Sequence, residues 1–187
     1  MIIRKLSDNT KIYIERYFAV VDEMAENMRN VEETDSISEM FILQMIAVYE
    51  GGVRIGENIL SYTTNSNIEN LAKSIVEGGN RDIEDLKEML DFCRNCKNDD
   101  RDVSLYQRRF KSILENMISS MNGINVSNNI DLDFLSGMIY HHEGEISMAK
   151  NVLGYDICEN LKNYAEKLIT THELQLGQMR QMIRMLG

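Results

Sequence analysis

The sequence predicts an all-α helical bundle built from one three-helix unit that occurs twice. Three observations carry this. The 187 residues contain no proline and thirteen methionines; proline breaks helix interiors, whereas methionine is a good helix former. Sliding the chain against itself by 93 residues gives 12 identities in the 50 ungapped pairs that begin with residues 41–90, and a repeat of this kind sets how every later motif is read. Apolar residues also recur at the 3.6-residue period of a helix with one buried face.

The first unit, 1–95, is expected to hold helices near 8–30, 37–62 and 66–92, and the second, 96–187, helices near 100–122, 131–154 and 157–186. The first and fourth helices correspond through Tyr13, Arg16, Met24 and Met28, which fall on Tyr106, Arg109, Met117 and Met121. Ser36 with Glu39 reads as a capping box opening the second helix. Its sequence Phe41-x3-Met45-Ile46, Glu50-Gly51 and Asn58-x-Leu60-x-Tyr62 returns in the fifth as Phe134-x3-Met138-Ile139, Glu143-Gly144 and Asn151-x-Leu153-x-Tyr155. Leu71, Ile75, Leu86 and Leu90 mark the buried stripe of the third helix. Asn122-Gly123 reads as the C-cap of the fourth. Asp156 with Glu159 reads as a second capping box, and Leu161, Leu168, Leu176, Met179 and Ile183 are the stripe of the sixth. The one strong break in composition, Cys96-Lys97-Asn98-Asp99-Asp100-Arg101-Asp102, falls between the units. Three helices alone make a thin core, which favours one shared bundle over two lobes.

The net charge is −10, and no basic stripe interleaved with aromatics occurs, so nucleic acid and anionic membrane surfaces are poor partners. No apolar run approaches the roughly 20 residues that span a bilayer, and no signal-peptide apolar region follows Met1. The expectation is a cytoplasmic protein, with room for a homodimer. Cys93, Cys96 and Cys158 are too few and odd in number for a disulfide framework, which points to a reducing compartment. Cys93-x2-Cys96 then reads as two free thiols at a frayed helix end, and Cys158 as a small buried residue.

All three histidines of the chain fall on one expected surface. On the fifth helix Met138, His141, His142, Glu145 and Met148 lie within an arc of about 120°. His172 lies on the sixth, with Gln175 and Met179 on the same side, and an antiparallel pairing matches its depth to His141 and His142. Imidazole nitrogen with thioether sulfur is a soft to borderline donor set and favours copper, especially Cu(I). Met138, His141, His142, Met148, His172 and Met179 are therefore the candidate metal ligands. Methionines at helical spacing are more often plain core, but the histidines have an internal contrast. Val48, Tyr49, Ile55, Gly79 and Leu86 stand in the first unit where the second has His141, His142, Met148, His172 and Met179, so the scaffold repeats without these ligands; only Met138 keeps its counterpart, Met45.

This pattern resembles the DUF305 family, whose motif runs Phe-x3-Met-x2-His-His-x2-Ala-x2-Met-Ala and, about 20 residues on, Gln-x2-Glu-Ile-x2-Met. Here it reads Phe134-x3-Met138-x2-His141-His142-x2-Glu145-x2-Met148-Ala149, then His172-x2-Gln175-Leu176-x2-Met179. The resemblance covers about 34–187 with both units counted. It implies a ferritin-like helical bundle, often a tandem, and, since some members bind copper in the bacterial envelope, a metal role for Met138, His141, His142, Met148 and Met179. The first unit lacks the histidine pair, and His172 and Gln175 replace the family's glutamine and glutamate.

Other chemistry finds little support. A di-iron carboxylate centre needs Glu-x-x-His on two helices, but Met138, Ile139 and Ile169 stand three residues before the histidines. His142-Glu143 and His172-Glu173 lack the second histidine of a zincin, and no phosphate loop or activated nucleophile is present. The expected function is binding of a soft metal, most of all copper, as a buffer, carrier or sensor without catalysis. The competing expectation is a helical interaction protein with a vestigial site.

Overall fold

A computed structural model describes residues 5–186. Six helices follow in order: α1 Asp8–Arg29, α2 Ile37–Leu60, α3 Ser66–Cys93, α4 Asp100–Asn122, α5 Ile130–Val152 and α6 Glu159–Leu186. No strand occurs among the described residues.

Most helix starts are set by a side chain that accepts from an otherwise unpaired main-chain N–H. Ser7, Ser36, Asn65, Asp99 and Asn129 cap α1 to α5 in this way. At α2 only half of the predicted capping box forms: Ser36 Oγ accepts from the Glu39 N–H at 3.2 Å, while the Glu39 carboxylate turns to Arg94 at 3.7 Å. The box predicted at Asp156 and Glu159 does not form. The α6 helix begins at Glu159 itself, and the Asp156 carbonyl instead accepts from Asn98 Nδ2 at 2.6 Å. Gly123 ends α4, donating its N–H to Ser119 and Ser120.

Helices α2 and α5 are the centre. Each packs between the other two helices of its own unit, and the two cross each other, while α3 and α6 touch little. One apolar core runs through both units.

The repeat is visible in contacts as well as letters, and the contacts explain which letters match. Asn58 Nδ2 donates to the Tyr13 carbonyl at 3.0 Å and Asn151 Nδ2 to the Tyr106 carbonyl at 3.3 Å, 93 residues apart on both sides. Tyr13 meets Tyr62 edge-on at 5.7 Å and Tyr106 meets Tyr155 edge-on at 5.8 Å. Gly51 leaves room for Met24, whose Sδ lies 2.5 Å from where a Cβ would stand, and Gly144 leaves the same room for Met117. Buried polar groups need partners and close helix approaches need small residues, so these positions keep their residue types in both units.

Gly137 shows the same constraint against a stiffer neighbour. A Cβ there would lie 2.5 Å from the Tyr17 hydroxyl and 2.7 Å from its ring, which is wholly buried. Gly137→Ala is expected to lower unfolding stability by about 1–3 kcal/mol, because the ring has no free space to move into. Chemical denaturation of the variant against wild type checks this.

The cysteines depart from expectation. Cys93, at the end of α3, is joined to Cys158, just before α6, in a disulfide spanning 65 residues with a Cα–Cα distance of 5.6 Å. Cys93 is thus not a free thiol at a frayed end, and Cys158 is more than a small buried residue. An odd cysteine count does not prevent one pair from forming, so the count carries no argument for a reducing compartment. Cys96 is the free thiol.

Candidate metal centre

The second unit places its histidines around a carboxylate. On α5, Glu145 follows His141 by four residues and His142 by three, so the helix stacks all three on one side. Helix α6 runs back beside α5 and brings His172 level with them; the His142 and His172 ring centroids are 4.7 Å apart. Helix α2 supplies the floor. His141 Nε2 lies 3.1 Å from the Val48 carbonyl, and a Cβ on Gly52 would lie 2.8 Å from His141 Cε1. In the 93-residue register Val48 is the duplicate of His141 and Gly52 that of Glu145. The first unit therefore makes room for the side chains that the second unit carries.

Each histidine has one nitrogen fixed by a main-chain carbonyl. The contacts are His141 Nε2 to Val48 at 3.1 Å, His142 Nδ1 to Met138 at 3.0 Å and His172 Nδ1 to Leu168 at 3.0 Å. A carbonyl only accepts, so these nitrogens carry the proton, and a neutral ring presents its lone pair on the other one. Those other nitrogens are His141 Nδ1, which lies 3.3 Å from Glu145 Oε2, and His172 Nε2, which lies 3.1 Å from it. His142 Nε2 faces the Gln175 carboxamide at 3.1 Å.

Two acceptors at that separation repel unless a cation or a proton sits between them. With the facing nitrogens unprotonated, Glu145 Oε2 and His141 Nδ1 are buried and without a hydrogen-bond partner, a state that costs about 1–3 kcal/mol per group; a proton on either ring would supply the missing donor. Burial acts to raise the Glu145 carboxyl, but the charges of His141 and His172 outweigh it and hold the group well below the usual carboxylate range. His172 responds in the opposite sense. Burial lowers it, yet Glu145 and then Asp82 leave it above the ordinary histidine value. His142 is pushed down to about 3 by burial, with Glu145 opposing and the other two histidines adding to the shift. The ring of His142 is thus neutral at physiological pH, the form that binds metals.

His141, His142 and Glu145 each offer one ligand atom, all within 4.8 Å of one another. His172 reaches this group through Glu145. A first-row cation with bonds of about 2.1 Å needs donor atoms about 3.0–3.4 Å apart, and the 3.3 Å between His141 Nδ1 and Glu145 Oε2 meets this. Carbonyls holding the far nitrogens of His141 and His172 are the usual outer support of a metal-binding histidine; in His142 the carbonyl holds Nδ1, the nitrogen 3.7 Å from Glu145 Oε2, and Nε2 turns to Gln175. Donor chemistry and support therefore both fit a transition ion.

A cleft of about 750 Å³ between α3 and α6 leads to the group. Tyr49, Asp82, Tyr164 and Gln175 line it, and Tyr164 donates to the Tyr49 hydroxyl at 2.8 Å. Asp82 is the duplicate of Gln175, so this repeat position carries a polar side chain at the same cleft from the third helix of each unit.

Of the six residues expected as ligands, the structure gathers His141, His142 and His172. Met138 lines the cleft, whereas Met148 and Met179 are buried in the apolar core and do not. Glu145 was on the predicted face but not among the expected ligands, because the family motif has alanine there. A glutamate at i+4 and i+3 from a histidine pair was the available signal. Gly52 had no signal of its own, since its role depends on how α2 crosses α5. Gly52→Ala is expected to displace the His141 ring and to weaken by roughly tenfold or more the hold on any metal ion that the group takes up; a competition titration checks this.

The family profile described as "Domain of unknown function (DUF305)" matches residues 19–90 and 108–183. The chain belongs to the DUF305 family. The two matched segments fall one in each three-helix unit, each beginning inside its first helix, so the duplication is a tandem of DUF305 units, the second carrying the histidine pair. No curated protein and no solved structure matches the chain significantly. No helix among the described residues is long and apolar enough to cross a membrane.

Proposed function

We propose that this DUF305 protein binds one transition-metal ion, copper first among the candidates, through His141, His142 and Glu145, with His172 beside them. Its role is to hold, carry or sense the ion without catalysis. The observation that carries this is the facing pair of unsatisfied buried atoms, His141 Nδ1 and Glu145 Oε2. A cation between them satisfies both at once. The imidazoles serve either oxidation state of copper, the carboxylate favours Cu(II), and Cu(I) would draw on the Met138 thioether in the cleft. The acidic chain, with Asp82, Glu84 and Asp85 at the cleft against Arg81 and Lys167, favours entry of a cation.

A second reading has one observation in its favour. His142 has a partner at both nitrogens, Met138 and Gln175, as in a polar cluster that serves only to order the core, in a protein acting through its surface. Competition titrations with Cu(I), Cu(II) and Zn(II) separate the two. Metal binding predicts about one equivalent held by wild type and lost in His141→Ala/His142→Ala; a structural cluster predicts weak uptake that the double variant leaves unchanged.

A further inference from the structure

The cysteines form a second chemical centre, independent of the histidines. The Cys93–Cys158 disulfide links the end of α3 to the start of α6, the two helices that wall the cleft. Neither sulfur is within easy reach of solvent: Cys93 is 0% exposed and Cys158 4%. Disulfides are made and broken by a thiolate that attacks a sulfur in line, and no external thiol reaches these two directly while the helices stay packed. Cys96 does have access. It is partly exposed, it follows Cys93 by three residues in a turn closed by its own N–H donating to the Cys93 carbonyl at 3.1 Å, and its side chain packs on the core edge.

We propose that Cys96 is the entry thiol of a three-cysteine exchange site that takes small-molecule disulfides and thiols as substrates. In the oxidising direction the Cys96 thiolate attacks the small disulfide; a mixed disulfide forms on Cys96 and one small thiolate leaves. The Cys93 thiolate then attacks Cys96 Sγ, closing a Cys93–Cys96 disulfide and expelling the second small thiolate. Finally the Cys158 thiolate attacks Cys93 Sγ, which forms Cys93–Cys158 and returns Cys96 as a thiolate. Two protein thiols have been oxidised and one small disulfide reduced to two thiols. The reverse sequence opens the bond.

The last step has structural support at its far end. Cys158 immediately precedes Glu159 and its carbonyl accepts from the Lys162 N–H, which puts it at the N-cap of the 28-residue α6. The unpaired N–H groups of a first helical turn favour a thiolate there, both as attacking group and as leaving group. A Cys-x-x-Cys spacing closes readily into the transient Cys93–Cys96 bond.

The test starts from reduced full-length protein mixed with glutathione disulfide, quenched with acid at intervals, alkylated and mapped by peptide mass spectrometry. Wild type is expected to close Cys93–Cys158 at least about tenfold faster than Cys96→Ser. Cys158→Ser is expected to accumulate the Cys93–Cys96 disulfide. Equal closure rates in wild type and Cys96→Ser overturn the proposal. So does a Cys158→Ser chain that keeps a free Cys93 thiol beside glutathionylated Cys96, and this second reading decides the matter if Cys96→Ser fails to fold.

Discussion

Glu145→Gln is expected to lower metal affinity by at least about a hundredfold while the apo protein stays folded. The substitution keeps the volume and a polar group near His141 Nδ1 and His172 Nε2, but removes the charge that a cation would share with the two rings. Loss of an outer support alone costs about 10–100-fold in affinity, and a donor itself costs more. The fold is retained because the carboxamide nitrogen, in the place of Oε2, can donate one N–H to each ring nitrogen, which satisfies the groups left facing each other. Competition titration gives the affinity and circular dichroism the fold. Unchanged affinity would remove Glu145 from the site and return the ligand set to the histidines and methionines.

The second large effect is at high pH. Burial raises Tyr13, Tyr17 and Tyr106 above the ordinary phenol value, for Tyr13 and Tyr106 well above it. A folded-state value above the unfolded one means stability that is full below the unfolded value, near 10, and lost as pH rises toward the folded value. Each buried phenol then contributes about 1.4 kcal/mol of lost stability per pH unit above 10, and the three together about 4 kcal/mol. Unfolding should therefore be cooperative and coincide with tyrosinate absorbance. Gradual ionisation near pH 10 with unchanged helicity would contradict it. Tyr13 and Tyr106 are duplicates, so the same weak point is built into both units.

Helix positions were legible because their causes are local. An apolar stripe, a serine or asparagine cap and a glycine stop act within a few residues of themselves, and the predicted ends of α1 to α6 fall within two residues of those observed. The repeat was legible for the same reason, since Tyr13, Asn58 and Tyr62 recur with their contacts. The gathering of His141, His142 and His172 followed from helical phase plus an antiparallel turn. What was not legible depends on distance in three dimensions. Nothing in the letters says that Gly52 leaves space for His141, that the Val48 carbonyl fixes its proton, or that Met148 and Met179 turn into the core. The pairing of Cys93 with Cys158 likewise rests on α3 ending where α6 begins, 65 residues on.

X-ray absorption at the copper edge of the copper-loaded protein tests the central claim most directly. Binding through His141, His142 and Glu145 predicts a nitrogen and oxygen shell with the outer scattering of two imidazoles, which disappears in His141→Ala/His142→Ala. A shell dominated by sulfur, or one that the double variant leaves unchanged, would contradict it.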